Sequence, residues 1–134
     1  MSVRGGGCPL WGTLNRPILK FLIVDDHASM RRTLRELLTG PADDVREATD
    51  GGQAQDVYEE QRPDWVIMDV QMQPVGGLAA TRHIMARHPE ARVIMVSQFD
   101  DVDLRSSASE AGAHAYVIKD DLFAIRRLVH PTPA

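Results

Sequence analysis

Five short apolar runs, each followed by an amphipathic stretch, recur between residues 19 and 129, and this alternation restricts the fold more than any other feature of the chain. The runs are Leu19 to Val24, Val45 to Ala48, Trp65 to Met68, Arg92 to Val96 and Ala115 to Ile118, the second being the weakest. Most are nearly continuous in Val, Ile, Leu and Met, as strands covered on both faces require. The stretches between them keep helical spacing: Met30, Leu34, Leu37 and Leu38; Ala54, Val57 and Tyr58; Leu78, Thr81 and Met85; Leu104, Ala108 and Ala111; Leu122, Ile125 and Val129. Local signals agree, with Asp50 or Gly51 opening the second helix, Pro89 closing the third, Asp100 to Asp103 capping the fourth and Gly112 ending it. Such connections are right-handed almost without exception, so the expected fold is an open α/β sandwich with every strand's C-terminal end on one edge.

The remaining sequence adds boundaries. Residues 1–17 carry Gly5-Gly6-Gly7 and Pro9 without apolar periodicity and read as a flexible leader, with Leu10 or Trp11 able to rest on the domain; 18–130 read as the domain; 131–134 read as a tail or the start of a linker. One domain fits 134 residues at 43% hydrophobic and 25% charged composition, and a single cysteine, Cys8, allows no internal disulfide. Nineteen acidic against fifteen basic residues argue against nucleic-acid binding by bulk charge. The apolar runs are far shorter than the ~20 residues that span a bilayer, and no secretory signal is visible, so the expected location is cytoplasmic.

Four of the five runs end in a polar residue that a core does not explain: Asp25-Asp26, Asp69, Ser97 and Lys119. Singly, each reads as a cap, a turn or a solvated charge. Together, at strand ends that share one edge of the sheet, they are expected to converge in the crevice where open α/β sheets bind ligands. Three carboxylates there cannot be balanced by Lys119 alone, because two of them ~4 Å apart repel by roughly 4 kcal/mol at an effective dielectric of 20. One divalent cation with the lysine restores neutrality. A set of oxygen ligands without His or Cys points to Mg²⁺, which is commonly shared with a phosphate. Asp69, alone on a central strand, is then the candidate nucleophile towards a phosphoryl donor, with Ser97 and Lys119 in reach of the phosphoryl oxygens and Asp25 and Asp26 holding metal. Met68, Met72, Met85 and Met95 read as core filling, and the helix carrying Arg31, Arg32 and Arg35 as presenting a solvated basic face. The five histidines, His27, His83, His88, His114 and His130, lack metal-ligand spacing.

These residues resemble the receiver domain of two-component response regulators over about Leu19 to Val129. The matching pieces are Phe21-Leu22-Ile23-Val24-Asp25-Asp26-His27, Asp69-Val70-Gln71-Met72 followed by Gly77-Leu78, Val96-Ser97, and Ala113-His114-Ala115-Tyr116-Val117-Ile118-Lys119-Asp120; spacing also matches, with 43 residues from Asp26 to Asp69 and 22 from Ser97 to Lys119. The resemblance implies a flavodoxin-like (βα)5 doubly wound parallel sheet of strand order 2-1-3-4-5. It implies that Asp69 is the phosphoacceptor, that Asp26, Asp69 and the Gln71 carbonyl ligate Mg²⁺ with Asp25 acting through water, and that Ser97 and Tyr116 form a switch pair. It further implies a sensor histidine kinase as phosphoryl donor, no turnover activity, and partner binding or homodimerisation through the face of the fourth helix, fifth strand and fifth helix. The last strand and helix are most similar to receivers that precede a C-terminal helix-turn-helix, which implies transcriptional output through a domain absent here and no direct DNA contact by this chain. A stand-alone receiver acting on a protein partner, a phosphorylation-independent pseudo-receiver and a small Mg²⁺-dependent phosphatase are the alternatives. Two departures stand out: Gln73 occupies the place where the family usually has proline, with Pro74 next, and Gln98 follows Ser97 where many receivers have a small residue.

Overall fold

A computed structural model describes residues 17–131. Apart from Pro17 and Pro131, the expected leader and tail lie outside the described residues. The elements run β1 (Lys20–Val24), α1 (Ala28–Leu38), β2 (Asp44–Ala48), α2 (Gly51–Gln61), β3 (Trp65–Asp69), α3 (Gly77–Arg87), β4 (Val93–Ser97), α4 (Val102–Ala111), β5 (Ala115–Ile118) and α5 (Phe123–Val129). A single 3-10 turn, Lys119–Asp121, joins β5 to α5. All strand pairings are parallel and the sheet order is β2-β1-β3-β4-β5. This is the expected flavodoxin-like sheet, with the chain reversing direction of growth between β2 and β3.

Strands that read as continuous apolar runs in fact divide their side chains between two cores, as the pleat demands. Leu22, Val24, Val66, Met68, Val93 and Met95 face α2, α3 and α4. Phe21, Ile23, Trp65, Ile67, Ile94 and Val96 face α1 and α5, where Leu34, Leu38, Ile125 and Val129 meet them. Met68, Met72 and Met95 are buried and Met85 packs against the first core, in keeping with a filling role.

Several boundaries differ from the expected ones, each for a visible reason. β1 begins at Lys20, because the Leu19 N–H is taken by the Asp43 side chain (3.0 Å) instead of a strand ladder. β3 and β4 each run one residue further than the apolar run, so that Asp69 pairs opposite Val96 and Ser97 opposite Ile118. Arg92 precedes β4; its guanidinium lies over the Trp65 ring, 4.1 Å from the centroid. The caps agree with sequence. Asp50 accepts hydrogen bonds from the N–H groups of Gly52 (2.7 Å) and Gln53 (3.1 Å), and Asp101 accepts from Asp103 (2.8 Å) and Leu104 (3.2 Å). Gly112 closes α4 at φ 97°, a left-handed conformation that only glycine adopts without strain. Among the described residues no helix is long and apolar enough to cross a membrane.

Candidate functional site

Three strand ends bring their polar residues together. Asp25 follows β1, with its N–H bonded to the Ala48 carbonyl at 3.1 Å, and is buried; Asp69 ends β3 and is also buried; Lys119 opens the 3-10 turn after β5. The Lys119 Nζ lies 3.2 Å from Asp25 Oδ2 and 3.4 Å from Asp69 Oδ1, with only 12% of the lysine side chain exposed. One ammonium thus bridges two carboxylates 94 and 50 positions away in the chain. Asp26 points outwards beside them, its side chain 40% exposed. Asp26, Val70, Gln71, Met72 and Gln73 line an open cleft of about 470 Å³.

The lysine does not settle the charge balance. Burial, followed by repulsion from Asp25, pushes the Asp69 carboxyl up to about 6 from its ordinary 3.8, against the opposing pull of Lys119 and a backbone hydrogen bond from Gln71. A buried carboxylate held that far up is a group short of positive charge. The donor chemistry fits a hard divalent cation: one ligand atom from each of Asp25, Asp26 and His27 falls within a 4.8 Å span, Asp26 lines the open cleft, and Asp69 shares the Lys119 ammonium with Asp25.

His27 corrects the expectation that no histidine joins the acidic group. It is the N-cap residue of α1, and its Nδ1 lies 2.9 Å from Asp26 Oδ1 and 3.2 Å from Asp25 Oδ1, while its backbone N–H donates to Asp25 Oδ1 at 2.8 Å. Spacing rules for metal ligands look past it because it is an immediate chain neighbour. Its adjacency to the acidic pair was the available signal. A second correction concerns α1. Arg32 is exposed, but Arg31 and Arg35 do not form a purely solvated face: both clasp Glu47 of β2, at 2.7 Å and 2.8 Å. Arg31 also donates from Nη1 to the Asp25 backbone carbonyl at 2.8 Å, which anchors the residue after β1.

Ser97 is buried near the same edge, and its Oγ accepts the Phe99 N–H at 3.1 Å. Tyr116, one strand over and half-buried, donates its hydroxyl to the Phe99 carbonyl at 2.7 Å. Serine and tyrosine are thus tied to the same residue, Ser97 through the Phe99 N–H and Tyr116 through the Phe99 carbonyl. Gly77 sets the floor of the site. A Cβ there would stand 2.0 Å from the Asp69 carbonyl oxygen, so α3 can begin against the end of β3 only at glycine. In the loop between them, which carries the Gln73 and Pro74 departures, the Gly77 N–H donates to the Val70 carbonyl at 3.0 Å; the Gln73–Pro74 peptide is cis. Gln98 is exposed.

A flavodoxin-like parallel sheet that brings Asp25, Asp69 and Lys119 together at one edge, with Asp26 lining the cleft beside them, defines an α/β module with its polar site at the strand ends. The chain belongs to the response regulator receiver domain family, whose profile matches residues 21–130. It is 37% identical over 101 residues to the chemotaxis protein CheY of Thermotoga maritima, covering 75% of this chain and 84% of that protein. To the transcriptional regulatory protein DegU of Brevibacillus brevis it is 29% identical over 109 residues, covering 80% of this chain but only 46% of that protein. Among solved structures, a LuxR-family two-component response regulator from Aurantimonas sp. SI85-9A1 superposes with a TM-score of 0.75 at 33% identity, covering 84% of this chain and 86% of that one. Receiver domains are phosphorylation-dependent signalling switches that bind Mg²⁺ at their acidic pocket and interact with histidine kinases.

Proposed function

We propose that this chain is a working receiver in which Asp69 takes a phosphoryl group from a sensor histidine kinase. The observation that carries the reading is the Lys119 ammonium, within 3.2 and 3.4 Å of Asp25 and Asp69 at the open end of the sheet. An Asp69 carboxylate oxygen attacks the donor phosphorus, a new O–P bond forms, and the P–N bond of the phosphohistidine breaks with its electron pair going to the imidazole. Lys119 pairs with one phosphoryl oxygen, and Ser97 gives its hydroxyl to another after leaving the Phe99 N–H. Asp26, Asp69 and the Gln71 carbonyl would hold Mg²⁺, with Asp25 acting through water, and the ion would supply positive charge to this acidic site. The chain forms one aspartyl phosphate and is not a turnover enzyme; that separates it from a small phosphatase.

Ser97's departure frees the Phe99 N–H, and Tyr116, whose hydroxyl holds the carbonyl of the same residue, turns inward. The face of α4, β5 and α5 then changes, and the output is homodimerisation or partner binding, with no DNA contact by these residues. Similarity to DegU supports transcriptional output through a domain not included here; the longer coverage of the CheY relative supports a stand-alone receiver as second reading. Because histidine kinases draw on ATP, the site works in the cytoplasm. Domain limits of 18–130 accompany this reading, with 1–17 a leader and 131–134 a tail or linker.

The test is intact mass after incubation with acetyl phosphate and Mg²⁺, for wild type and Asp69→Asn, with an EDTA control. One phosphoryl mass is expected in wild type with metal alone. No gain under any condition would leave a pseudo-receiver that signals without phosphate.

A further inference from the structure

One contact next to the switch pair belongs to neither Ser97 nor Tyr116. Arg105, on the second turn of α4, places its guanidinium carbon 4.8 Å from the centroid of the Tyr116 ring. The same side chain donates from Nε to Asp100 Oδ1 at 2.7 Å. Asp100 follows Phe99, whose N–H is held by Ser97 Oγ at 3.1 Å and whose carbonyl is held by the Tyr116 hydroxyl at 2.7 Å. Asp101, next again, caps α4. A single side chain thus grips both halves of the arrangement, the loop after β4 and the ring on β5, without reaching Asp69.

We propose that Arg105 is a positioning residue that latches the receiver in its resting state, holding Tyr116 outward and the 97–101 loop closed until Asp69 is phosphorylated. This rests on the reading of Asp69 as phosphoacceptor, and deepens it by naming the residue that sets the resting bias. Inward rotation of Tyr116 takes the ring away from the guanidinium, and movement of the loop towards Asp69 strains the Asp100 pair, so both motions lose contacts made by Arg105. A guanidinium over a tyrosine face and a half-exposed ion pair are each modest. Their combined loss corresponds to about a three- to tenfold change in a two-state population. If acetyl phosphate reacts with the switched population, the apparent phosphorylation rate rises by the same factor.

Two readouts test this. The chain has only two tyrosines, Tyr58 and Tyr116, so 3-fluorotyrosine labelling gives one probe on the switch and one internal control. In Arg105→Ala without phosphoryl donor, the Tyr116 ¹⁹F resonance is expected to move while that of Tyr58 stays. The rate of acetyl phosphate labelling, followed by intact mass, is expected to rise three- to tenfold. Arg105→Lys, which keeps a cation over the ring, should stay within twofold of wild type. In a Tyr116→Leu background, Arg105→Ala should raise the rate by a smaller factor, because only the Asp100 pair is left to lose, and a merely structural role of Arg105 does not predict that. An unmoved Tyr116 resonance, an unchanged rate, or a rate gain that persists undiminished in the Tyr116→Leu background overturns the latch. Absence of labelling in wild type instead removes the reading of Asp69, and the fluorine spectrum then decides the latch by itself.

Discussion

Replacing Asp69 by asparagine is expected to make the metal-free protein more stable, although the residue is the proposed centre of its chemistry. Burial and Asp25 push this carboxyl up to about 6 from an ordinary 3.8. A pKa raised in the folded state means that ionised Asp69 opposes folding. Below about pH 4 the group is protonated both folded and unfolded and exerts no drag. As pH rises through 4 to 6 the unfolded chain releases its proton first, and stability falls; above 6 the full penalty stands. A shift of about two units at 1.36 kcal/mol each gives a ceiling of about 3 kcal/mol at pH 7.5. Asparagine removes the charge, so in EDTA at pH 7.5 we expect a gain of about 1–3 kcal/mol, or a melting temperature higher by roughly 3–10 °C for a domain of this size. The assay is urea or thermal unfolding of both proteins at pH 7.5 and pH 4.5. The gain should shrink at the lower pH, and millimolar Mg²⁺ should stabilise wild type more than the variant. A variant less stable than wild type in EDTA, or a difference that ignores pH, would falsify the account of this site as a cluster short of positive charge.

Further expectations concern the neighbours of Asp69. Lys119→Ala removes the one ammonium set between two buried carboxylates, so it should destabilise the metal-free fold by about 2–4 kcal/mol, with a loss largely recovered in Mg²⁺; denaturant titration with and without metal checks this. Gly77→Ala drives a Cβ into the Asp69 carbonyl oxygen and should cost about 2–4 kcal/mol and slow phosphorylation together, read by melting temperature and intact mass. Gly112→Ala meets both φ 97° and the Met85 side chain at 2.9 Å; a loss of about 1–2 kcal/mol without loss of phosphorylation is expected.

Much of the fold was legible because the sequence repeats one physical unit. An apolar run covered on both faces, an amphipathic helix, and a cap such as Asp50, Asp101 or Gly112 recur, and parallel strands joined by helices leave few other packings. The strand order was not legible from pattern. It came with the resemblance, since nothing in the apolar content of β2 shows that it pairs only with β1. Boundaries slipped where a polar residue ended a strand: Asp69 and Ser97 extend β3 and β4 because ladder pairing with Val96 and Ile118 continues, whatever their polarity.

The site divides along the same line. Asp25, Asp69 and Lys119 could be read together because each lies at a strand end, and parallel topology turns a position in sequence into a position in space. Arg31 and Arg105 could not, because their contacts depend on side-chain direction from a helix, and His27 was signalled only by its place beside Asp26. His27 reaches the acidic pair from the N-cap of α1, Arg31 reaches back to the Asp25 carbonyl, and Arg105 crosses from α4 to β5. Strand ends fix which polar groups meet at the edge of the sheet, whereas helix-borne side chains such as Arg31 and Arg105 tie the adjoining loops. Chemistry in this fold is therefore read from the sheet, and its regulation from contacts between helices and loops that no spacing rule encodes. Arg105 makes the distinction concrete: its contacts run not to Asp69 but to the Tyr116 ring and to the carboxylate of Asp100, next to the Phe99 backbone that Ser97 and Tyr116 both hold.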